Sequence, residues 1–182
     1  MDRRDQVLEA ALAVFGRFGF RKASMDEVAK AAAISRPGLY LHFASKEALF
    51  KATMKRELDA ALDEARAELA KTELDLPTRI IGAVDAYFGR YVGSSLAGDI
   101  GELLADSVAQ LGTLFAERGA EFDALVAAAL PARPDIEAAD IAANLHATAI
   151  GWKHRVASRA EFVARMTVAV ALCCDGATQT RS

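Results

Sequence analysis

Two short helical patterns joined by a tight connection occupy residues 24–43, which read SMDEVAKAAAISRPGLYLHF. Ser24 is a helix-capping residue type, and Glu27, three residues later, completes the pattern of a capping box. Ser35 can cap the second helix, whose first turn tolerates Pro37 because an amide hydrogen there has no helical acceptor. These signals predict a helix-turn-helix, in which two helices meet at an angle across a short turn.

The second helix of this motif has an apolar side and a polar side. Helical spacing places Leu39 and Phe43 inside and leaves Arg36, Tyr40 and His42 outside. In DNA-binding helix-turn-helix domains the second helix lies in the major groove, and its outer residues contact the bases. The pattern therefore predicts a DNA-reading helix, although two capped helices also occur as plain scaffold in many helical proteins.

The charge of the chain is divided unevenly along its length. The net charge of the whole chain is -3, which by itself argues against a general nucleic-acid binder. Residues 1–56, however, hold 11 Lys and Arg against 6 Asp and Glu, whereas residues 57–182 hold 11 against 19. A basic head on an acidic body suits a small DNA-binding domain. We predict this domain over residues 1–50 and a helical domain for effector binding and dimerisation over residues 51–182.

Helical periodicity continues through the rest of the chain. Alanine, leucine, glutamate and arginine dominate, and only four prolines occur, so we predict an all-α fold of about nine helices. Gly112 is expected to separate two of them. In the first helix the residues expected to face the core are Val7, Leu8, Ala11, Leu12, Phe15 and Phe18. The helices expected outside the motif cover residues 3–18, 46–71, 76–91, 100–110, 112–130, 135–157 and 160–175.

The last two helices are the most apolar part of the chain. The final one is apolar around nearly its whole circumference, which a helix exposed on one side does not need. We therefore expect one face to cover the chain's own core and another to meet a second copy in a four-helix homodimer interface. The residues expected in that interface are Ala142, Leu145, Ala149, Phe162, Val163, Met166, Val170 and Cys173.

No catalytic set can be assembled from the sequence. The chain contains no glycine-rich phosphate loop, nucleophile elbow or HExxH helix, so we predict that it is not an enzyme. His146 and His154 are eight residues apart without a cysteine ligand beside them, and we expect neither a metal site nor a cofactor. The neighbouring Cys173 and Cys174 cannot form a relaxed disulfide, and the N-terminus lacks a signal-peptide pattern, which favours a reduced cytoplasm without membrane insertion.

Aromatic side chains in the body, with a few polar neighbours, are typical of a ligand pocket between helices. Each of these aromatic residues can equally belong to a plain core. If they line a pocket, we expect a small, mainly apolar ligand that contacts Tyr91 and Trp152. The candidate pocket residues are Tyr87, Phe88, Tyr91, Phe115, Phe122, His146 and Trp152.

Residues 10–50 also carry a series of short motifs in a fixed order. These are Phe15-Gly16, Gly19-Phe20, Ser24-Met25, Glu27-Val28-Ala29, Ile34-Ser35, Gly38-Leu39-Tyr40, His42-Phe43 and Ser45-Lys46-Glu47. In this order and without gaps they resemble the DNA-binding domain of the TetR family of bacterial transcriptional regulators. The family usually has glycine at Ala33, where a left-handed residue costs alanine about 1 kcal/mol. It also usually has a small residue or a lysine-glycine pair in place of Arg36-Pro37.

The resemblance implies a homodimeric transcriptional repressor that a small ligand releases from an inverted-repeat operator in double-stranded DNA. Arg36 is expected to place its guanidinium on guanine O6 and N7, or to contact phosphate alone. Lys46 is expected to hold a phosphate. The residues expected to contact DNA are Lys22, Ser24, Ser35, Arg36, Pro37, Gly38, Tyr40, His42 and Lys46.

Two alternatives stay open at this point. A ligand-independent repressor or an activator would carry the same sequence signals. A helical ligand-binding or enzymatic protein could use the helix-turn-helix only as scaffold, and it would differ by a catalytic set in its body and by indifference to DNA.

Overall fold

The computed structural model describes residues 2–93 and 109–175, and within these residues it contains eight α-helices, one 3-10 turn and no strand. This confirms the all-α prediction and lies close to the predicted helix count. The predicted helix over residues 100–110 falls largely outside the described residues. The helices are α1 (Arg3–Lys22), α2 (Met25–Ala31), α3 (Arg36–His42), α4 (Lys46–Leu69), α5 (Leu76–Phe88), α6 (Ala109–Ala129), α7 (Ala138–Lys153) and α8 (Arg159–Asp175), and the 3-10 turn is Gly89–Tyr91.

The described residues form two compact units. The N-terminal unit comprises residues 2–58 and 109–114, and the body unit comprises residues 59–93 and 115–175. Helix α4 belongs to the N-terminal unit as far as Leu58 and to the body unit from Asp59 onward. None of the described helices is both long enough and apolar enough to cross a membrane.

Aromatic rings fill the core of the N-terminal unit. Phe50 on α4 lies with its ring centroid 4.9 Å from those of both Phe15 and Phe20. Phe18, which was predicted to face this core, is instead 38% exposed. The reason is Gly19, whose φ of 74° interrupts the helical path of α1, so that Phe20 packs on Phe50 and Phe18 turns outward.

The turn between α2 and α3 contains a strained alanine. Ala33 has a φ of 52°, which is the left-handed conformation expected at the position where the family has glycine. Two hydrogen bonds close the turn: the Ala33 amide donates to the Lys30 carbonyl at 3.1 Å, and the Ile34 amide donates to the Ala29 carbonyl at 3.0 Å. The turn therefore forms both hydrogen bonds although the backbone of Ala33 is strained.

The core of the body unit is built from the end of α4 and from helices α5 to α8. Pro77 lies in the first turn of α5 as predicted, and Asp75 caps that helix by accepting from the Thr78 amide at 2.8 Å. The largest side chains fully buried in this unit are Phe122, Phe162, Ile80, Leu145 and Met166.

The predicted break at Gly112 and the predicted limits of α7 were wrong. Helix α6 runs through Gly112 without a break, because an interior glycine weakens a helix by about 1 kcal/mol but does not stop it. Helix α7 covers Ala138–Lys153 and not residues 135–157, since Glu137 takes the N-cap position and His154 the C-cap position. Helix α8, in contrast, begins and ends close to its predicted limits.

The strained backbone conformation of Ala33 can be tested by substitution. We expect Ala33→Gly to stabilise the N-terminal unit by about 1 kcal/mol, because glycine adopts a positive φ without steric cost. Ala31→Gly is the matched control, since Ala31 is also exposed but helical, and there glycine should destabilise by a similar amount. Amide hydrogen exchange of residues 25–43 measures both effects, and destabilisation by Ala33→Gly would contradict the account.

Candidate nucleic-acid interface

Helix α2 begins with the predicted capping box. The Ser24 hydroxyl accepts a hydrogen bond from the Glu27 amide at 3.2 Å, and the Glu27 carboxylate accepts from the Ser24 amide at 2.8 Å. Hydrogen bonds from Ser24 lower the pKa of Glu27 because they stabilise its ionised form. The start of α2 is therefore fixed by its own first turn, and Ser24 stays exposed at the surface.

Helix α3 is held by a second serine cap. The Ser35 hydroxyl accepts from the Gly38 amide at 3.1 Å, and a Cβ atom on residue 38 would lie only 3.1 Å from that hydroxyl oxygen. Because glycine has no Cβ atom, the Ser35 hydroxyl can approach residue 38 closely enough to cap α3. Leu39 and Phe43 are buried, as predicted, so the opposite side of α3 faces outward.

The outward side of α3 is where the predicted base-reading residues lie. The Arg36 guanidinium contacts the Asp26 carboxylate of α2, with Nε 3.2 Å and Nη1 3.4 Å from its oxygens. It also lies 5.8 Å from the centre of the Tyr40 ring. The Tyr40 hydroxyl and, next, the Asp26 carboxylate raise the pKa of Arg36. Pro37 and His42 are exposed on the same helix.

One exposed residue on this side was missed by the sequence reasoning. Leu41 is 88% exposed, although hydrophobicity alone would place a leucine inside. Helical spacing does indicate this exposure, because a residue two positions from the buried Leu39 lies about 200° around the helix.

The Lys46 ammonium, which was predicted to hold a phosphate, contacts the backbone of its own chain. Its ammonium donates to the carbonyl oxygens of Phe20, Arg21 and Ala23, at 2.9, 3.4 and 3.1 Å. It also lies 4.5 Å from the centre of the Phe20 ring. An ammonium has three hydrogens to donate, so these carbonyls engage all of them. In this structure Lys46 therefore caps the end of α1 and fastens it to the start of α4, and its contact with a phosphate stays a prediction.

The remaining cation predicted to contact DNA is Lys22. It is exposed in the last turn of α1, one residue after the exposed Arg21 and two residues before the Ser24 cap. The two basic side chains thus lie at the connection that leads into α2. A phosphate next to this connection would meet positive charge.

The body unit brings four of the predicted pocket residues into one aromatic cluster. The rings of Tyr87 and Phe122 stack with centroids 4.7 Å apart, and Phe88 lies 4.9 Å from the His146 ring. The His146 ring nitrogen Nδ1 lies 2.7 Å from a carboxylate oxygen of Asp123. Burial, followed by the charge of Asp123, raises the pKa of Tyr87. These aromatic rings pack against one another.

Trp152 and Phe115 are not part of this cluster. Trp152 is half-buried, and the Arg165 guanidinium lies 4.8 Å from its ring. Phe115 is half-buried, and the side chain of Tyr91 lies outside the described residues. A Cβ atom at Gly119 would lie 2.7 Å from His146 Cε1, which shows how closely α6 and α7 approach.

A groove of about 410 Å³ lies elsewhere in the body unit. Its lining is mainly polar and includes none of the predicted aromatic residues. The Asp85 carboxylate pairs with the Arg159 guanidinium through contacts of 2.8 and 2.9 Å. The groove is lined by Glu64, Ala67, Glu68, Gly82, Asp85, Ala86 and Arg159.

Most residues predicted to form a dimer interface lie in the chain's own core. A side chain buried within one chain presents no exposed surface to a second copy, and the interface stays a prediction. The buried residues are Ala142, Leu145, Ala149, Phe162, Met166 and Val170, whereas Val163 and Cys173 are half-buried. The exposed apolar side chains of the same two helices are Ile150, Val168 and Leu172, with 45%, 60% and 76% of their surface exposed.

Metal-binding chemistry receives no support from the described part of the chain. Within residues 2–93 and 109–175, no group of three His, Cys, Asp or Glu side chains is placed to hold a metal ion. Cys173 and Cys174 are both half-buried, and burial raises the pKa of the Cys173 thiol.

Comparison with known proteins gives a family match for the N-terminal unit. Residues 7–53 match the family model described as bacterial regulatory proteins of the tetR family. The chain is also 41% identical over 87 residues to the HTH-type transcriptional activator FasR of Mycolicibacterium smegmatis. That match covers 48% of this chain and 39% of FasR, so the chain spans well under two thirds of this relative.

Solved structures extend the similarity in fold over nearly the whole chain. Escherichia coli NemR in its reduced form has a TM-score of 0.77 and 19% identity, with 96% of both chains covered. A TetR-like transcriptional regulator from Rhodococcus sp. RHA1 has a TM-score of 0.62 and 27% identity, covering 98% of this chain and 97% of that one. The NemR similarity concerns the fold alone.

The capping role of Lys46 generates a prediction that separates it from a phosphate contact. We expect Lys46→Met to destabilise the N-terminal unit by about 2 kcal/mol, because three carbonyls lose a charged donor. Lys30→Met is the control, since Lys30 is exposed on α2, and it should change stability little. Amide hydrogen exchange of α1 measures the effect, and unchanged protection in Lys46→Met would contradict the capping role.

Proposed function

The chain belongs to the TetR family of bacterial regulatory proteins, and from this premise we propose that it is a homodimeric, sequence-specific DNA-binding transcriptional repressor. In this proposal a small, mainly apolar ligand releases it from its operator. The observation that carries the DNA-binding part is the outward side of α3, where Arg36, Tyr40 and His42 are exposed on a helix that Ser35 caps.

Arg36 is the residue we assign to base reading. A guanidinium forks onto O6 and N7 of guanine, which is a common specific contact in the major groove. In the unbound protein the Arg36 guanidinium pairs with the Asp26 carboxylate, and both side chains are more than half exposed. Exposed ion pairs contribute little free energy, so a guanine can replace the carboxylate at small cost. Lys22, Ser24, Tyr40 and His42 then hold phosphates and fix the register.

A second copy supplies the other half of the reading surface. We assign the interface to the exposed apolar residues Ile150 on α7 and Val168 and Leu172 on α8, which a monomer leaves in water. A two-fold dimer presents two copies of α3 to half-sites that lie about 34 Å apart, so its operator is an inverted repeat. The buried residues of α7 and α8 pack beneath these exposed side chains.

Ligand release is supported by the composition of the body unit. The cluster of Tyr87, Phe88, Phe122 and His146 offers apolar rings and one polar handle, which is the chemistry of a small-molecule site between helices. A ligand acts on DNA binding when it favours a dimer shape with the wrong half-site spacing.

An activator is the second candidate, and one observation favours it. FasR, which shares 41% identity over 87 residues, is named a transcriptional activator. The same DNA-reading surface serves either sign of regulation, because the sign depends on where the operator lies relative to the promoter. A ligand-independent repressor is a further variant. A scaffold-only helix-turn-helix would predict indifference to DNA.

The division of roles on the DNA gives a paired prediction. We expect Arg36→Ala to relax base preference at one position per half-site and to weaken operator binding about tenfold to a hundredfold. Lys22→Ala should weaken operator and random duplex alike and reduce the slope of log affinity against log salt by about 1. Fluorescence anisotropy over a salt series measures both, and identical effects of both variants on operator and random DNA would refute the assignment.

The proposed interface gives a separate prediction. Val168→Glu combined with Leu172→Glu should yield a monomer, because burying two carboxylates without partners is costly. Loss of the second half-site then weakens operator binding on the order of 100-fold. Leu74→Glu is the control, since Leu74 is exposed outside α7 and α8 and should leave the dimer intact. Sedimentation velocity reports the oligomeric state, and a double variant that stays dimeric would show that the interface lies elsewhere.

A further inference from the structure

Leu41 is the most exposed large hydrophobic side chain that the structure describes. Its 88% exposure exceeds the 76% of Leu172 and the 60% of Val168, which we assign to the dimer interface. Covering such a side chain removes apolar surface from water, which is favourable. Leu41 is therefore available for an apolar contact, and its place in the fold indicates with which partner.

Leu41 shares its helix face with Pro37. The two residues are four positions apart on α3, so their side chains lie one above the other, and both are exposed. Arg36 and Tyr40 form the neighbouring row, in which the guanidinium lies 5.8 Å from the Tyr40 ring. The apolar row thus runs directly beside the residues assigned to bases and phosphates.

The charge of the N-terminal segment favours a polyanion as the partner of this apolar row. Residues 1–56 hold 11 Lys and Arg against 6 Asp and Glu, so the segment that carries Leu41 attracts negative charge. Duplex DNA presents one apolar group at the base edges of its major groove, the C5 methyl group of thymine. A leucine side chain at the surface of a basic reading helix matches that group in both size and polarity.

We propose that Leu41 is a specificity-determining residue that packs against the C5 methyl group of one thymine in each operator half-site. This inference rests on the proposed function, because it takes α3 to lie in the major groove. It adds a preference for thymine next to the guanine that Arg36 reads. The contact is apolar, so it contributes to base selection and leaves the salt dependence of binding unchanged.

The test replaces thymine by deoxyuridine, which removes the methyl group and leaves base pairing intact. A site is first selected from a random duplex pool with the wild-type protein, and each thymine of one half-site is then exchanged in turn. At one position we expect wild-type affinity to fall about threefold to fivefold, the effect of losing one buried methyl group. Leu41→Ala should bind the methylated and unmethylated duplexes equally, whereas the control Leu74→Ala should respond as wild type does.

The outcomes separate this inference from the proposed function. If the wild-type protein selects a site but Leu41→Ala keeps the full response to deoxyuridine, the Leu41 contact is overturned and the proposed function stands. If the wild-type protein selects no site, both are overturned. If Leu41→Ala changes the oligomeric state in sedimentation without DNA, a second copy covers Leu41 and the thymine contact is rejected. Because Leu41 is almost fully exposed, its truncation should leave the fold intact.

Discussion

The N-terminal unit depends on how α4 is fastened along α1. At one end the Lys46 ammonium donates hydrogen bonds to the carbonyls of Phe20, Arg21 and Ala23. At the other end the Arg56 guanidinium donates to the Asp5 carbonyl at 2.9 Å. Helices α2 and α3 have only seven residues each, which is too short for stability in isolation. They exist because α1 and α4 give them a surface on which to bury Val28 and Leu39. The geometry of α3 is thus set by contacts within the N-terminal unit.

The N-terminal unit was predictable because its signals are local. Ser24, Glu27 and Ser35 form the caps expected from their spacing, and Ala33 adopts the expected left-handed conformation. The backbone contacts of Lys46 were not predicted, for the opposite reason. Its partners are 23 to 26 residues away in sequence, so no local pattern shows whether its ammonium faces a phosphate or a row of carbonyls. A lysine's charge indicates attraction to oxygen but does not identify which oxygen.

The body unit was predictable in class but not in detail. The apolar circumference of α8 predicted one face in the chain's own core and another against a second copy, yet periodicity alone could not tell which face meets that core. The structure assigns Phe162, Met166 and Val170 to that core and leaves Val168 and Leu172 exposed. Composition likewise indicated an aromatic cluster, whereas the packing of Phe122 against Tyr87 and Phe88 depends on contacts between helices distant in sequence.

The central claim is that the capped α2–α3 surface is the part of this protein that meets DNA. Amide hydrogen exchange of the intact protein, with and without a duplex carrying its selected site, tests this claim most directly. The account predicts that DNA slows exchange at residues 24–27 and 35–42, because these residues lie at the two capped helix starts and along the reading helix. Protection confined to residues 59–93 and 115–175, or no protection at a DNA concentration that saturates binding, would contradict it.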